Sequence, residues 1–456
     1  MRVGLLPRGL GVVIGFFSAG CLFAAGSVCG QERDTAGVGL GKFGFSGYTA
    51  LQVGQLVRAR YFKLTDDIDH NWIGSGYLNV SMNSRINAHL SVLGSVEAEY
   101  GYNTSPLSLV FDPTQGPPTQ NLYFDIPNAE GIFSFGAEDR IRLQVNVGRF
   151  EYKYDPEARN LGEYLFRTGT YPAYIQTMFD RPLARINGVA ASLKINQFLR
   201  QDLLVTTLTD LHPFTDFSIT YVADVSIGRW LDVGAGIQCA NLISPMPEQS
   251  ALRDYSTNGY LKAPGDTGYY TYRGTKLMGR LMFDCKQLLN APFFGSEDGK
   301  LYAEAAVLGL ENYPASNAID STNQSNVIGY DSIKQKIPVM MGFNIPTCKV
   351  LDVLALEAEW YGCKYPDGYN LVVRNGISVP DKPTLSPGYS WSDYTRDDWK
   401  WSVYARKTFY NKFALIFQAA RDHMRLRTQI QRDQDFQEAL VFTRHWYWML
   451  KAKFYF

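Results

Sequence analysis

The side chains that could carry covalent chemistry are few and scattered. Five histidines, His70, His89, His212, His423 and His445, stand in no recognisable catalytic motif. Acyl transfer needs a nucleophile, a base and an orienting group within reach of one another. Gly-x-Ser-x-Gly is absent, and residues 74–76 offer only Gly-Ser-Gly. Cys239, Cys285, Cys348 and Cys363 lack the close spacing of a zinc site, and four cysteines make no disulfide framework in a chain of this length. These residues predict no enzyme, no metal and no cofactor.

The charged residues recur instead with period two. Residues 140–147 put Ile141, Leu143, Val145 and Val147 on one face and Arg140, Arg142, Gln144 and Asn146 on the other. In a strand those faces point to opposite sides. Residues 217–225, 231–239, 275–284 and 354–360 repeat the pattern, the last with Leu354, Leu356, Ala358 and Trp360 against Glu357 and Glu359. A soluble sandwich also alternates. Here the segments run near the ~9–11 residues that cross a bilayer as a tilted strand, and they are numerous.

Sixteen strands are expected, near 43–62, 73–83, 86–101, 131–137, 140–150, 184–195, 201–208, 216–226, 231–242, 270–284, 300–310, 336–344, 351–362, 397–409, 412–422 and 445–456. Links after the even strands are mostly short, as at Glu138-Asp139 and Tyr410-Asn411; most links after the odd strands are long. That alternation predicts an all-β fold: a transmembrane antiparallel up-and-down β-barrel of about 16 strands, with short periplasmic turns and long external loops.

Composition agrees. The 44 Lys+Arg balance 44 Asp+Glu, so no basic face for nucleic acid is expected. Twenty-nine Tyr, 27 Phe and 41 Gly suit β structure. Beyond residue 30 no apolar run approaches the ~18 residues of a membrane helix. The first thirty residues read as a cleaved signal peptide: Arg2 and Arg8, an apolar run over 9–25, then small residues. Cys21 after Ser18-Ala19-Gly20 half-matches a lipoprotein site and ranks second. Removing Arg2 and Arg8 leaves 42 basic against 44 acidic residues, a net charge of −2. Residues 31–42 form a short periplasmic segment ahead of the barrel, 43–456.

The strand 446–456 places Trp446, Trp448, Leu450, Ala452, Phe454 and Phe456 on one face and Lys451 and Lys453 on the other. With its final aromatic it resembles the C-terminal signature of bacterial outer-membrane barrels, and the chain as a whole resembles a sixteen-stranded porin. The resemblance implies an outer-membrane location, outer-membrane lipid and the barrel-assembly machinery as partners (the latter reading Phe456), small hydrophilic solutes, a homotrimer and passive diffusion. A non-conducting surface or adhesion protein with a loop-sealed barrel is the alternative.

Strand parity then assigns the inner wall. Its basic residues are Arg58, Arg60, Arg140, Arg142, Lys194, Lys276, Arg280, Arg406, Lys451 and Lys453; its acidic ones are Glu97, Glu99, Asp224, Asp232, Asp284, Glu304, Glu357 and Glu359. The third external link, 151–183, holds the position of the loop that narrows porins. Asp155 with Pro156 predicts a helix start running toward Phe166. Asp155, Glu157, Arg159, Glu163 and Arg167 are the constriction candidates. Tyr164, Phe166 and Tyr171 are candidates for stacking on a solute such as a sugar.

Overall fold

The computed structural model describes residues 41–59, 69–103, 122–136, 140–167, 184–196, 198–207, 216–243, 245, 259–263, 266–269, 274–289, 293–310, 318–319, 333–360, 399–424, 440 and 442–456. The expected leader, Arg60 and Tyr171 lie outside the described residues, as does the side chain of Arg167.

Sixteen antiparallel strands close into one barrel. They are β1 (Phe43–Arg58), β2 (Trp72–Arg85), β3 (Leu90–Asn103), β4 (Leu122–Gly136), β5 (Ile141–Tyr152), β6 (Ala184–Ile195), β7 (Leu199–Thr207), β8 (Phe217–Ile227), β9 (Leu231–Ile243), β12 (Gly274–Asp284), β13 (Lys300–Val307), β15 (Val339–Asn344), β16 (Val353–Trp360), β17 (Trp399–Phe409), β18 (Phe413–Arg421) and β19 (Trp446–Tyr455). All sixteen expected strands are present. The fourth begins at Leu122 instead of 131, because it bends at Ile126-Pro127 and continues. The expectation missed the part beyond the bend, since Pro127 reads as a break. Proline is tolerated there because it sits at a bulge, where no ladder N–H is required. The third strand starts at Leu90, not 86: Asn87 Oδ1 accepts the amides of His89 and Leu90 and makes a turn. Three short strands, β10 (Gly259–Ala263), β11 (Asp266–Tyr269) and β14 (Ala318–Ile319), pair across two of the long links.

The barrel closes where β1 pairs with β19 from Tyr48↔Tyr455 to Arg58↔Trp446. Gly47 and Phe456 complete the seam by exchanging amide and carbonyl, at 2.9 and 3.0 Å. At the short-turn end Tyr410 and Asn411 both take positive φ, 52° and 54°, the backbone a type I′ hairpin needs.

The alternation is inverted relative to a soluble protein. Apolar residues face outward: Phe124 is 71% and Met341 65% exposed. Charged residues face inward: Lys276 is 0% and Glu359 1% exposed. An exterior of this kind extends far beyond the few hundred Å² of apolar patch a soluble monomer tolerates. It fits a hydrocarbon surround, in which a closed ladder satisfies every backbone group.

One stretch of wall lacks a ladder. The β4–β5 pairing stops at Ala129↔Arg149. Above it Arg149 donates to the Ile126 carbonyl (2.7 Å) and to Asp125 (3.2 Å). Arg185 bridges Asp125 and Glu97, the latter at 3.0 Å. Side chains thus hold the edges together where backbone bonds end.

Leu281 faces outward near the middle of β12. Leu281→Arg is expected to cost about 2–4 kcal/mol, the depth-dependent penalty of a cation on the lipid face of a barrel. Urea unfolding from lipid vesicles, followed by tryptophan fluorescence, checks it.

Candidate functional site: a loop seated in the lumen

After Tyr152 the chain turns into the barrel. Tyr154, Asp155, Ala158, Leu161, Tyr164, Leu165 and Phe166 are all buried, packed against the inner faces of strands from β5 to β15. The expected helix from Asp155 does not form. Asp155 Oδ1 accepts the Glu157 amide at 3.3 Å, in a local turn, and Arg280 at 3.5 Å. Gly162 and Glu163 take positive φ, 84° and 61°, and a single helical turn spans Tyr164–Arg167. The reason lies on the opposite wall: its carboxylates take the amides a helix would have used.

Glu357 accepts the amides of Arg159 (2.5 Å), Asn160 (2.8 Å) and Leu161 (2.9 Å), and the Tyr302 hydroxyl at 2.9 Å. Glu304 accepts the amides of Glu163 (2.7 Å) and Tyr164 (2.9 Å), and the Tyr154 hydroxyl at 2.6 Å. Tyr164 donates to Glu359 (2.7 Å), which also faces His423 Nε2 at 2.5 Å. Asn160 reaches further, to Asp422 (2.6 Å) and Ser402 (3.2 Å). Lys276 Nζ donates to the Leu165 carbonyl at 3.3 Å. Gly162 sits so close to the wall that a Cβ would meet Met340 at 2.7 Å and Glu304 at 2.9 Å. The loop crosses from β5 to β17 and β18.

Its charges are compensated. Asp155 and Glu157 face Arg280 at 3.5 and 3.9 Å, and Glu157 faces Lys300 at 3.3 Å. Arg159 pairs with Glu297 at 2.5 Å, on the link between β12 and β13. Burial pushes the Asp155 carboxyl up to about 6, against the opposing pull of Arg280; Glu157 adds to the rise. Burial also raises Glu163, helped by Glu304. Lys153 is lowered by burial, with Glu163 opposing.

Asp155, Glu157, Arg159 and Glu163 are therefore gathered inside the barrel, as are Glu97, Glu99, Lys276, Arg280, Glu357 and Glu359. Arg142 lies on the lumen wall beside Gln144 (3.4 Å), and Arg140 is exposed at the foot of β5. Arg58 departs from expectation. A register shift between Leu56 and Arg58 reverses the parity of β1, so Ala59 is buried and Arg58 is exposed. Tyr164 and Phe166 are also corrected as stacking residues. Both are 1% exposed, and Phe166 is flanked by Tyr152 and Tyr154, with ring centroids 5.4 and 6.3 Å away. Lys153, Tyr154, Asn160 and Asp422 were not singled out from sequence. No local pattern marks Asn160 as a partner of a strand some 260 residues away.

The closed strand order with a lumenal loop defines a porin-like β-barrel. No family profile matches the chain, and no curated protein matches it. Among solved structures it is similar to Salmonella typhi OmpF in complex with daunomycin, with a TM-score of 0.47 and 11% identity over 91% of this chain and 97% of that one. It is also similar to a mutant Rh. blastica porin, with a TM-score of 0.42 and 9% identity over 91% of this chain and 100% of that one. The likeness is one of general shape.

Hydrogen bonds to charged groups contribute about 1.5–3 kcal/mol each, so Glu357→Ala is expected to unseat the loop at a cost of about 3 kcal/mol or more. Limited proteolysis followed by mass spectrometry should detect new cleavage within 153–162.

Proposed function

We propose that this chain is an outer-membrane porin through which small hydrophilic solutes diffuse passively. The observation that carries the reading is the inverted sixteen-strand barrel, apolar outside and charged inside, with a loop in its lumen. Barrels of this size leave an aqueous interior that wall side chains alone do not fill. Residues 1–30 direct export and are removed, 31–42 lead into the barrel, and the long links face outside. Phe456 is read by the barrel-assembly machinery, lipid covers the apolar exterior, and three copies assemble. No cofactor or energy source is used. The His423–Glu359–Tyr164 contacts are spent on holding the loop, which supports a non-enzymatic role. Asp155, Glu157 and Arg159 set the charge at the narrowest level, while Lys276, Glu357 and Glu359 fix the loop there. Sugars belong to the solute class the many tyrosines would suit.

A second reading has one observation in its favour. Asn160 reaches β17 and β18, so the loop spans the lumen. A loop-sealed surface protein would have that feature too. Conductance of the folded mature chain in a planar bilayer separates the two. Stepwise channels are expected; an inserted but silent barrel would put the sealed protein first. Replacing 156–166 with a short Gly/Ser link is expected to raise the conductance step, and an unchanged step would remove the loop from the constriction.

Acidification gives a further outcome. The Asp155 value of about 6 lies above its ordinary 3.8. Its contribution to stability is therefore complete below about pH 3.8 and is lost as pH rises through about 6. Between pH 7 and pH 5 Asp155 gains a proton and the constriction loses negative charge. The reversal potential in a salt gradient is expected to shift toward anion preference over that interval, and the shift should shrink in Asp155→Asn.

A further inference from the structure

The ion pairs at the break between β4 and β5 join opposite sides of the wall. In the β5–β6 register Arg149 stands opposite Asn187, and Glu151 opposite Arg185. They alternate with Phe150 and Tyr152, which are buried against the lumenal loop. Arg149, Glu151 and Arg185 therefore share the outer face with Val147 and Val189, which are 42% and 40% exposed. Their acidic partners on β3 and β4 do not. Glu97 is buried on the inner face of β3, and Asp125 of β4 stands opposite it. Arg185 pairs with both, with Glu97 at 3.0 Å, and Arg149 pairs with Asp125 at 3.2 Å. Two arginines rooted on the outer face thus reach acids on the inner face by passing between strands. Strands of an unbroken ladder lie about 4.8 Å apart and leave no such passage.

The sequence sets the break at this level. Gly148 of β5 and Gly188 of β6 face each other just below it, with φ 124° and 150°, so both strands turn together where the ladder to β4 stops. A Cβ on Gly148 would meet the Ala129 carbonyl oxygen at 2.2 Å. On β4, Pro127 has no N–H to give to a ladder. Each lip is nevertheless firm. β4 keeps its pairing with β3 up to Tyr100↔Leu122, and β5 keeps β6 up to Tyr152↔Ala184. Only the joint between the lips is made by side chains. Outside it lie Phe124 and Ile126, both exposed, and inside it lie Phe150 and Tyr152.

We infer that the break is a lateral portal, closed by the two arginines, through which a single-chain amphiphile passes between the lumen and the surrounding lipid. An ion pair opens by rotation of a side chain, whereas a ladder opens only by unfolding of a strand. Arg149 fills the gap with its Nε 2.7 Å from the Ile126 carbonyl, so the opening has the width of an arginine stem. That stem and an alkyl chain are both single files of methylenes; one acyl chain fits and a two-chain lipid does not. The head group keeps to the water and charge of the lumen while the tail crosses the apolar lip. Neither side is stranded when the pairs part. Arg185 retains Glu151 on the outer face at 3.6 Å, and Glu97 retains the Tyr48 hydroxyl at 3.0 Å. The inference rests on the membrane-spanning reading and adds a lateral route to the axial one. Its test needs no current, so its failure and a failure to conduct are separate results.

The test is photolabelling of the folded mature chain in lipid vesicles. The probe is dodecyl glucoside with a diazirine at the end of its tail, at a concentration that leaves the vesicles intact, and adducts are mapped by mass spectrometry. Lipid contact alone labels outward residues such as Val147 and Phe124. The portal is expected to add adducts on Asn128 and Phe150, which face inward beside the break, and to spare Arg406, half-buried on the inner face of β17 across the lumen. Arg149→Gln/Arg185→Gln should raise the inward labelling about fivefold, the population shift that follows loss of partly exposed ion pairs. Arg149→Lys/Arg185→Lys should stay near the unsubstituted level. Unheated gel mobility reports folding of each variant; if the double Gln variant does not fold, Arg149→Gln alone takes its place. Adducts on outward residues only, in the unsubstituted chain and the folded Gln variant alike, or labelling of Arg406 equal to that of Asn128, would overturn the inference.

Discussion

A sheet with an apolar outer face cannot end in an open edge, because hydrocarbon offers no partner for a bare N–H or C=O. The ladder between β1 and β19 is therefore the constraint on which everything else rests. The two strands that meet there come from opposite ends of the described chain, and Gly47 and Phe456 exchange the last pair of bonds. The closed ladder fixes parity on every strand, and parity decides which residues meet lipid and which meet the lumen. Where the ladder fails, above Ala129↔Arg149, the wall is held by Arg149 and Arg185, which reach the Ile126 carbonyl, Asp125 and Glu97. Those arginines do the work of absent backbone bonds.

Closure creates a second problem inside. Inward-facing charges that lose water need partners, since a buried unpaired carboxylate is costly. Glu304 and Glu357 meet that need with main-chain amides, two and three respectively, supplied by a loop. The loop in turn has amides without helix or sheet partners. Each side satisfies the other, so seating the loop requires no regular secondary structure in it. This explains why Asp155-Pro156, a sound helix start by sequence, begins only a turn. Asp155 caps one amide, and the next ones belong to Glu357.

Much of this was legible in the sequence. Period-two alternation located all sixteen strands and placed Lys276, Arg280, Glu357 and Glu359 on the inner wall, because one face of each strand is forced to be apolar. Arg58 was misplaced because a bulge shifts parity without leaving a mark in the hydrophobic pattern. Arg200 escaped because the seventh strand begins at Leu199, earlier than its alternation suggested. Tyr164 and Phe166 were visible as aromatics, but their use was not: whether a ring stacks on solute or packs against Tyr152 depends on the folded path of the loop. The loop's anchors join residues 140 to 260 positions apart, and such pairings have no local signature.

Loop and wall consequently behave as one electrostatic unit. While the loop is seated, Glu304, Glu357 and Glu359 are turned toward its amides and hydroxyls and hidden from the lumen. Lifting the loop would widen the passage and at the same time bare three carboxylates. Lys276, now bonded to the Leu165 carbonyl, would be bared with them. Width and charge therefore cannot be varied independently at this level of the barrel. A mutation that shortens the loop changes the lumen's charge as much as its radius, and one that removes a wall carboxylate changes the radius by freeing the loop.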